Sequence, residues 1–252
     1  MIKSETRDAV LGLSHAVGLA SHGLAILGEG NTSGKISDDS FWVKASGTNL
    51  ATLSEAGLVE CSTKRILRLL NLSDLSDEEI EEHLLDCRVD HAAKKPSVEC
   101  VFHGYLLTLP GIRFVAHTHP ITVNQILCSP HAERFARSRL FPDEIVCCGS
   151  ESVLVPYTDP GTILARTIRE KTDAYLQSHG LPPRVILLQN HGAITLGPTP
   201  QAAEAAMLML EKSAKIFVGA AALGGPISLT PENVHRIANR IDEHYRQKQL
   251  NL

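Results

Sequence analysis

The sequence is short of large aromatic rings. Six Phe, four Tyr and one Trp are all that 252 residues carry, against 12 His. No stretch approaches the roughly 18 consecutive apolar residues that read as a membrane-spanning helix, so no membrane partner is expected. There is no surplus of positive charge either: 24 Lys+Arg face 28 Asp+Glu, for a net charge of −4. A dedicated nucleic-acid binder needs a basic face, and that class is excluded. The six cysteines contain no C-x-x-C pair, which leaves a thiolate zinc site unsupported. They read as free thiols, mostly buried, in a reducing cytoplasm. The opening stretch, Met1 to Ala20, mixes charge throughout and has no clean apolar core. It is expected to belong to the folded chain rather than to a secretory leader.

What is present is globular in character. The apolar fraction is 43% and the charged fraction 21%, both ordinary for a packed domain. A chain of this length buries about 70% of its extended surface, so it needs neither disulfide nor metal merely to fold. No repeat or linker interrupts it, and one domain over 1–252 is expected. Apolar spacing predicts a first helix over 4–27, broken by Gly28–Gly34. Strands are expected at 41–45, 58–61, 113–118, 145–148, 153–155, 185–188 and 193–196. Helices are expected from Ser76, over 96–107, 120–127, 162–178 and 199–222, and from Thr230. In the helix at 162–178, Ile163, Leu164, Ile168 and Leu176 are placed on the inner face. Alternation of strands and helices makes the class α/β, with antiparallel pairing where the links are hairpin-length.

The strongest local chemistry is His117-Thr118-His119 at the end of a strand. Residues two apart on a strand face the same side, so both imidazoles can address one point. Such a pair suits a divalent metal of the zinc type; the alternative is one ring in and one out. His191, in Gln-Asn-His-Gly after another strand, is the best third ligand, or else an ordinary turn residue. Glu99 sits near a helix N-terminus, where the dipole favours a carboxylate. It is either a helix-entry acid or a metal-side acid/base. His103, one turn later on the same helix face, either touches the site or simply lines it. Gly28-Glu29-Gly30-Asn31-Thr32-Ser33-Gly34-Lys35 suggests an anion cradle. It fails the P-loop pattern, because Glu29 stands where Gly is required and Ile36 where Ser/Thr is. Lys44-Ala45-Ser46-Gly47 and Ser97 supply further hydroxyls at turns.

In order, these motifs resemble the class II aldolase/adducin family: Gly30-Asn31-Thr32, Ser46-Gly47, Pro96-Ser97-Val98-Glu99, His117-Thr118-His119 and His191-Gly192. The resemblance implies a three-layer α/β/α single domain around a largely antiparallel sheet, and a homotetramer with sites at subunit interfaces. It implies Zn2+, or Mn2+ or Co2+, held by His117, His119, His191 and Glu99, with Glu99 as catalytic acid/base. Gly30, Asn31, Thr32, Ser46, Gly47 and Ser97 would bind the substrate and its phosphate, with charge from Lys35 or Lys44. The implied reaction is retro-aldol cleavage of a ketose or ketose phosphate, with an enediolate stabilised by the metal. Phe41-Trp-Val-Lys-Ala-Ser-Gly47 is similar to the aldolase half of some bifunctional rhamnulose-phosphate enzymes. Epimerisation, dehydration, decarboxylation and a non-enzymatic adducin-like interaction role remain open at this point. Val98 stands where many relatives carry a second serine. A second acid from a neighbouring subunit would be Tyr157, Tyr245 or His244.

Overall fold

Helix α1 (Lys3–Val17) lays Val10, Leu13 and Val17 along one face and buries it. The expected continuation to residue 27 does not occur. Gly18 caps α1, one short turn follows at Ala20–His22, and the chain then runs irregularly to Gly30. The computed structural model describes residues 2–73 and 75–252, and for His244 the backbone alone.

An antiparallel meander comes next: β1 (Asn31–Lys35), β2 (Ser40–Lys44) and β3 (Leu58–Ser62). The expected glycine-rich cradle is therefore half strand. Gly34 lies inside β1, where an added Cβ would stand 2.6 Å from Val10 Cγ2. Helix α2 (Thr63–Asn71) has no counterpart in the sequence reading; it turns Ile66, Leu69 and Leu70 inward. Ser76 then opens α3 (Asp77–Asp86) with a reciprocal capping box to Glu79, as the Ser-x-x-Glu pattern requires. Helix α4 (Cys100–Leu106) begins later than expected, because Pro96 is held extended in a bridge to Ala45. Its seven residues are all buried.

Strand β4 (Phe114–Thr118), α5 (Ile121–Leu127) and α6 (Ala132–Arg137) follow. Residues 145–148, expected as a strand, form the end of α7 (Pro142–Cys148). Pro142 at the first helical position and Asp143 and Glu144 in the first turn are helix-entry signals. The apolar run hid them because it is buried on two sides. Cys147 and Cys148 face one core, while Ile145 and Val146 pack with Ile237. Strand β5 (Val153–Val155) and α8 (Thr162–His179) lead to the hairpin β6 (Val185–Leu188) and β7 (Gly192–Gly197). On α8, Leu164 and Ile168 are buried as expected, but Ile163 points to solvent. The long α9 (Pro200–Ala222), capped by Thr199, precedes α10 (Pro231–Ala238) and a further helix, α11 (Ile241–Gln249).

The strands make one seven-stranded sheet in the order β3-β2-β1-β4-β7-β6-β5. Every pairing is antiparallel except β5 with β6. Alternate residues feed two cores. Val115, Ile186, Leu188 and Ile194 join α2, α3, α4 and α8 on one side. Phe114, Ala116, Val185, Leu187 and Ala193 join α1, α5, α6, α7 and α9 on the other. The result is a three-layer α/β/α architecture with a largely antiparallel sheet. Strand parity decides what β4 shows at its end. His117 shares the face of Val115, and Thr118 the face of Ala116. Among the described residues no helix is long and apolar enough to cross a membrane.

Candidate metal centre

His117 and His119 lie at and just beyond the end of β4. His191 sits in the turn between β6 and β7, and β7 is the neighbour of β4 in the sheet, with Thr118 opposite Ala193. Asn190 takes a left-handed φ of 56° to make that turn. Gly192 is required for closeness: a Cβ there would meet Thr118 O at 2.5 Å and His119 Cδ2 at 2.8 Å. The amide of Asn124, on α5, donates to His191 O at 3.0 Å and fixes the turn from below.

The three imidazoles form a nearly equilateral triangle, with ring centroids 4.9, 5.0 and 4.9 Å apart. Their ligating nitrogens all fall within 4.8 Å of one another. His117 Nε2 and His119 Nε2 are 3.2 Å apart. Two nitrogens on a tetrahedral zinc, each at 2.0–2.1 Å, would stand about 3.3 Å apart. The residues present therefore fit a divalent ion of that type. His117 Nδ1 donates to Ala193 O at 3.0 Å, which leaves its Nε2 with a free lone pair.

Glu99, the residue that caps α4, faces the triangle. Its Oε1 is 3.5 Å from both His117 Nε2 and His191 Nε2. Its Oε2 accepts a short hydrogen bond from the side-chain amide of Asn31. That contact follows from register, because Asn31 pairs with His117 across β1 and β4 and so shares its face. Burial works to raise the Glu99 carboxyl, but the His117, His191 and His103 imidazoles outweigh it and hold it at about 2. Burial alone would lower His117, and Glu99 reverses the direction and raises it. Burial, then the charge of His117, pushes His191 down to about 4 and also lowers His119.

Gly30 carries φ +73° and brings its backbone against His117 O, where a Cβ would lie at 2.6 Å. Since β2 runs antiparallel to β1, the exposed Ser46–Gly47 turn leaves at this same end of the sheet. The bridge from Ala45 to Pro96 brings Ser97 there too, with its hydroxyl taking the Glu99 N–H at 3.3 Å. Thr32 is the exception and corrects the expectation for the cradle. Strand alternation turns it to the opposite face, where it is fully buried and hydrogen-bonded to Ser14 at 2.6 Å. Lys35 is also elsewhere, paired with Asp38 at the far end of β1. Lys44 is buried at the near end, donating to Gly28 O at 3.2 Å. Tyr157 and Tyr245 are exposed in this chain, and the side chain of His244 lies outside the described residues.

Two further residues stand at the site. His103, one turn after Glu99, is fully buried, with Nδ1 2.7 Å from Ser33 Oγ. Burial, then the His117 charge, pushes it down to about 3. Its i, i+4 spacing from Glu99 is the signal by which the sequence sets it at the site or lining it, and Ser33 follows from the same strand parity as Asn31. The second is Glu29, whose Oε1 lies 3.7 Å from His119 Nδ1. In the sequence it marked only the failure of a P-loop pattern.

Comparison with known proteins agrees with this geometry. The Class II Aldolase and Adducin N-terminal domain profile matches residues 14–218. The uncharacterized oxidoreductase YuxG of Bacillus subtilis is 29% identical over 182 residues, 69% of this chain and 24% of that protein. The chain thus spans about a quarter of that relative's length. The N-terminal class II aldolase domain of a conserved Thermoplasma acidophilum protein is 26% identical, with a TM-score of 0.69 over 86% of this chain and 95% of that one. YgbL of Escherichia coli, described as an aldolase/epimerase/decarboxylase, is 21% identical, with a TM-score of 0.67 over 93% and 98% of the two chains. An L-fuculose 1-phosphate aldolase reaches 0.71 over 96% and 98%, at 16% identity. The last two likenesses are of fold alone. The profile runs from within α1 to within α9 and takes in all three converging histidines and Glu99, and on that match the chain belongs to the class II aldolase and adducin N-terminal domain family.

Proposed function

We propose that this chain is a metal-dependent class II aldolase-type lyase that cleaves a ketose phosphate by retro-aldol chemistry. The observation that carries the reading is the triangle of imidazoles with the Glu99 carboxylate 3.5 Å from two of them. His117, His119 and His191 would hold Zn2+, or Mn2+ or Co2+ in its place. When bound, such an ion supplies a Lewis acid for the negative charge that carbon–carbon cleavage puts on the substrate oxygens. Glu99 has the acid/base role. Asn31 fixes its Oε2, so Oε1 is the oxygen that carries a proton to the carbon released in cleavage, or removes it in the synthetic direction. Gly30, Asn31, Ser46, Gly47 and Ser97 line the end of the sheet where the phosphate would sit. Contacts there would supply remote binding energy that fixes the register of the reacting carbons. Thr32 supplies no hydroxyl to that subsite. The functional unit is the single domain 1–252, a cytoplasmic homotetramer by family likeness.

The test begins with elemental analysis and then zinc-loaded protein with ketose 1-phosphates. Release of dihydroxyacetone phosphate is expected. Carbon dioxide would assign a decarboxylase, loss of water a dehydratase, and an inverted centre at unchanged mass an epimerase. A protein with no affinity for divalent metal would restore the interaction role. Glu99→Gln is expected to keep its metal and lose about 100- to 10,000-fold in kcat; full activity in that variant overturns the mechanism.

A further inference from the structure

Glu29 stands between two anchored neighbours. On one side, Gly28 O accepts from the buried Lys44 ammonium at 3.2 Å. On the other, Gly30 is pressed against His117 O with no room for a Cβ. The Glu29 side chain is itself tied down, with Oε2 accepting from Ile26 N at 2.9 Å. The same loop holds the backbone of the metal-site histidine, because His119 N donates to Leu24 O at 2.9 Å. The consequence is a carboxylate aimed at a particular atom: Glu29 Oε1 is 3.7 Å from His119 Nδ1. The other nitrogen of that ring, Nε2, faces His117 Nε2 at 3.2 Å and so points at the centre of the triangle.

An imidazole binds a metal through one nitrogen and must place its proton on the other. Which nitrogen does which is set by the partner of the second one. For His117 that partner is a main-chain oxygen, Ala193 O, at 3.0 Å from Nδ1. We infer that Glu29 does the same for His119: it is a positioning residue that holds the proton on Nδ1 and keeps Nε2 free for the ion. The inference rests on the metal-centre reading above. Glu29 touches neither the ion nor the reacting carbons. Its effect passes through ring orientation, tautomer and the added basicity that a carboxylate lends a ligand. Closing from 3.7 Å to hydrogen-bond distance requires only a small rotation of a side chain already anchored at its other oxygen.

The experiment compares wild type, Glu29→Gln and Glu29→Ala for Zn2+ and Co2+ affinity by chelator competition, and reads the tautomer of His119 by nitrogen-15 NMR of the zinc-loaded protein. Glu29 is partly exposed and lies outside every helix and strand, so the variants are expected to fold. Wild type should show a single His119 tautomer with the proton on Nδ1. Glu29→Ala should lose about 10- to 100-fold in affinity. Glu29→Gln keeps an acceptor but no charge and should fall between. The cobalt absorption bands should shift with the ligand's basicity. A merely structural loop residue would lower the melting temperature and leave affinity, tautomer and bands alone. Variants that bind zinc within twofold of wild type with the same His119 tautomer overturn the inference and leave the metal centre standing. Wild type that binds no divalent metal overturns both.

Discussion

The two faces of the sheet at its histidine end are equally polar and behave differently. On one face stand Asn31, Ser33 and His117, with Glu99 and His103 coming down from α4. On the other stand Thr32 and Thr118, with Ser14, Thr122 and Glu211 arriving from the helices. On the second face these groups are tied off in local pairs, while Asn124 Oδ1 on α5 and Ser213 Oγ on α9 stay without a partner. Thr32 bonds Ser14, Thr118 donates to Met207 Sδ, and Glu211 takes the Thr122 hydroxyl at 2.6 Å. The first face keeps groups of like kind pointed at each other, and it leaves Asn31 Oδ1 and His103 Nε2 buried without a partner. A buried polar atom with no partner costs stability. Both faces carry that cost; what marks the first as a site is that its ring nitrogens and the Glu99 carboxylate converge on one point.

That contrast is broken most severely by removing the ring at the centre of the first face. His117→Ala should lower zinc affinity by more than the roughly 100-fold that a ligand's supporting partner can carry. Competition titration against a zinc chelator reads it, and near-normal affinity would mean that the triangle is not the binding site. The next effect is expected from the support of Glu99. Asn31→Ala removes a buried hydrogen bond to a carboxylate, worth about 1.5–3 kcal/mol, and so should lower kcat about 10- to 100-fold while zinc stays bound. Turnover at the wild-type rate in Asn31→Ala would show that Glu99 is held without it.

The legible part of this site was the part encoded by short spacing. His117 and His119 lie two apart on a strand, so one face receives both, whatever the sheet does elsewhere. His191 was legible because a strand, a turn and a glycine surround it. Glu99 was recognisable as a helix-entry acid, and only the order of five motifs connected it to the histidines. Asn31 was flagged as a substrate contact, and its link to Glu99 spans 68 positions. That link depends on the register of β1 against β4, which no local pattern states. Thr32 is misplaced for a related reason: read as loop, three adjacent polar residues are all available, whereas a strand turns the middle one away. The apolar run at 145–148 failed differently. An element buried on two sides shows no alternation and no helical stripe, so only Pro142 and the acids beside it mark the helix.

The packed face predicts the opposite kind of damage, and Gly34 is a position that tests it. Adding a Cβ there places it 2.6 Å from Val10 Cγ2 and 3.0 Å from Phe114 Cε1. Gly34→Ala should cost about 1–3 kcal/mol by overpacking, read as a lowered denaturation midpoint in urea. Zinc affinity and kcat should stay near wild type at temperatures where the variant is folded. A stable protein with a damaged metal centre would mean that β1 transmits strain from one face to the other.

The smallest expected effect is the most discriminating, because it concerns a residue inside the Gly-Asn-Thr motif. Ser14 Oγ lies 2.6 Å from Val10 O, to which it gives its proton, so the Thr32 hydroxyl is the donor to Ser14. Thr32→Val keeps the β-branched shape that a strand favours and removes only that donor. It should cost about 1 kcal/mol, the net worth of one hydrogen bond plus an oxygen left short of a partner. Combining it with Ser14→Ala removes both sides of the pair and should bring back part of that loss, since two apolar groups facing each other leave nothing unsatisfied. Throughout the series, KM for a phosphorylated ketose and the affinity for zinc should not move. If Thr32→Val instead raised KM several-fold at unchanged stability, its hydroxyl would have to reach the substrate, and the assignment of Thr32 to the packed face would fall.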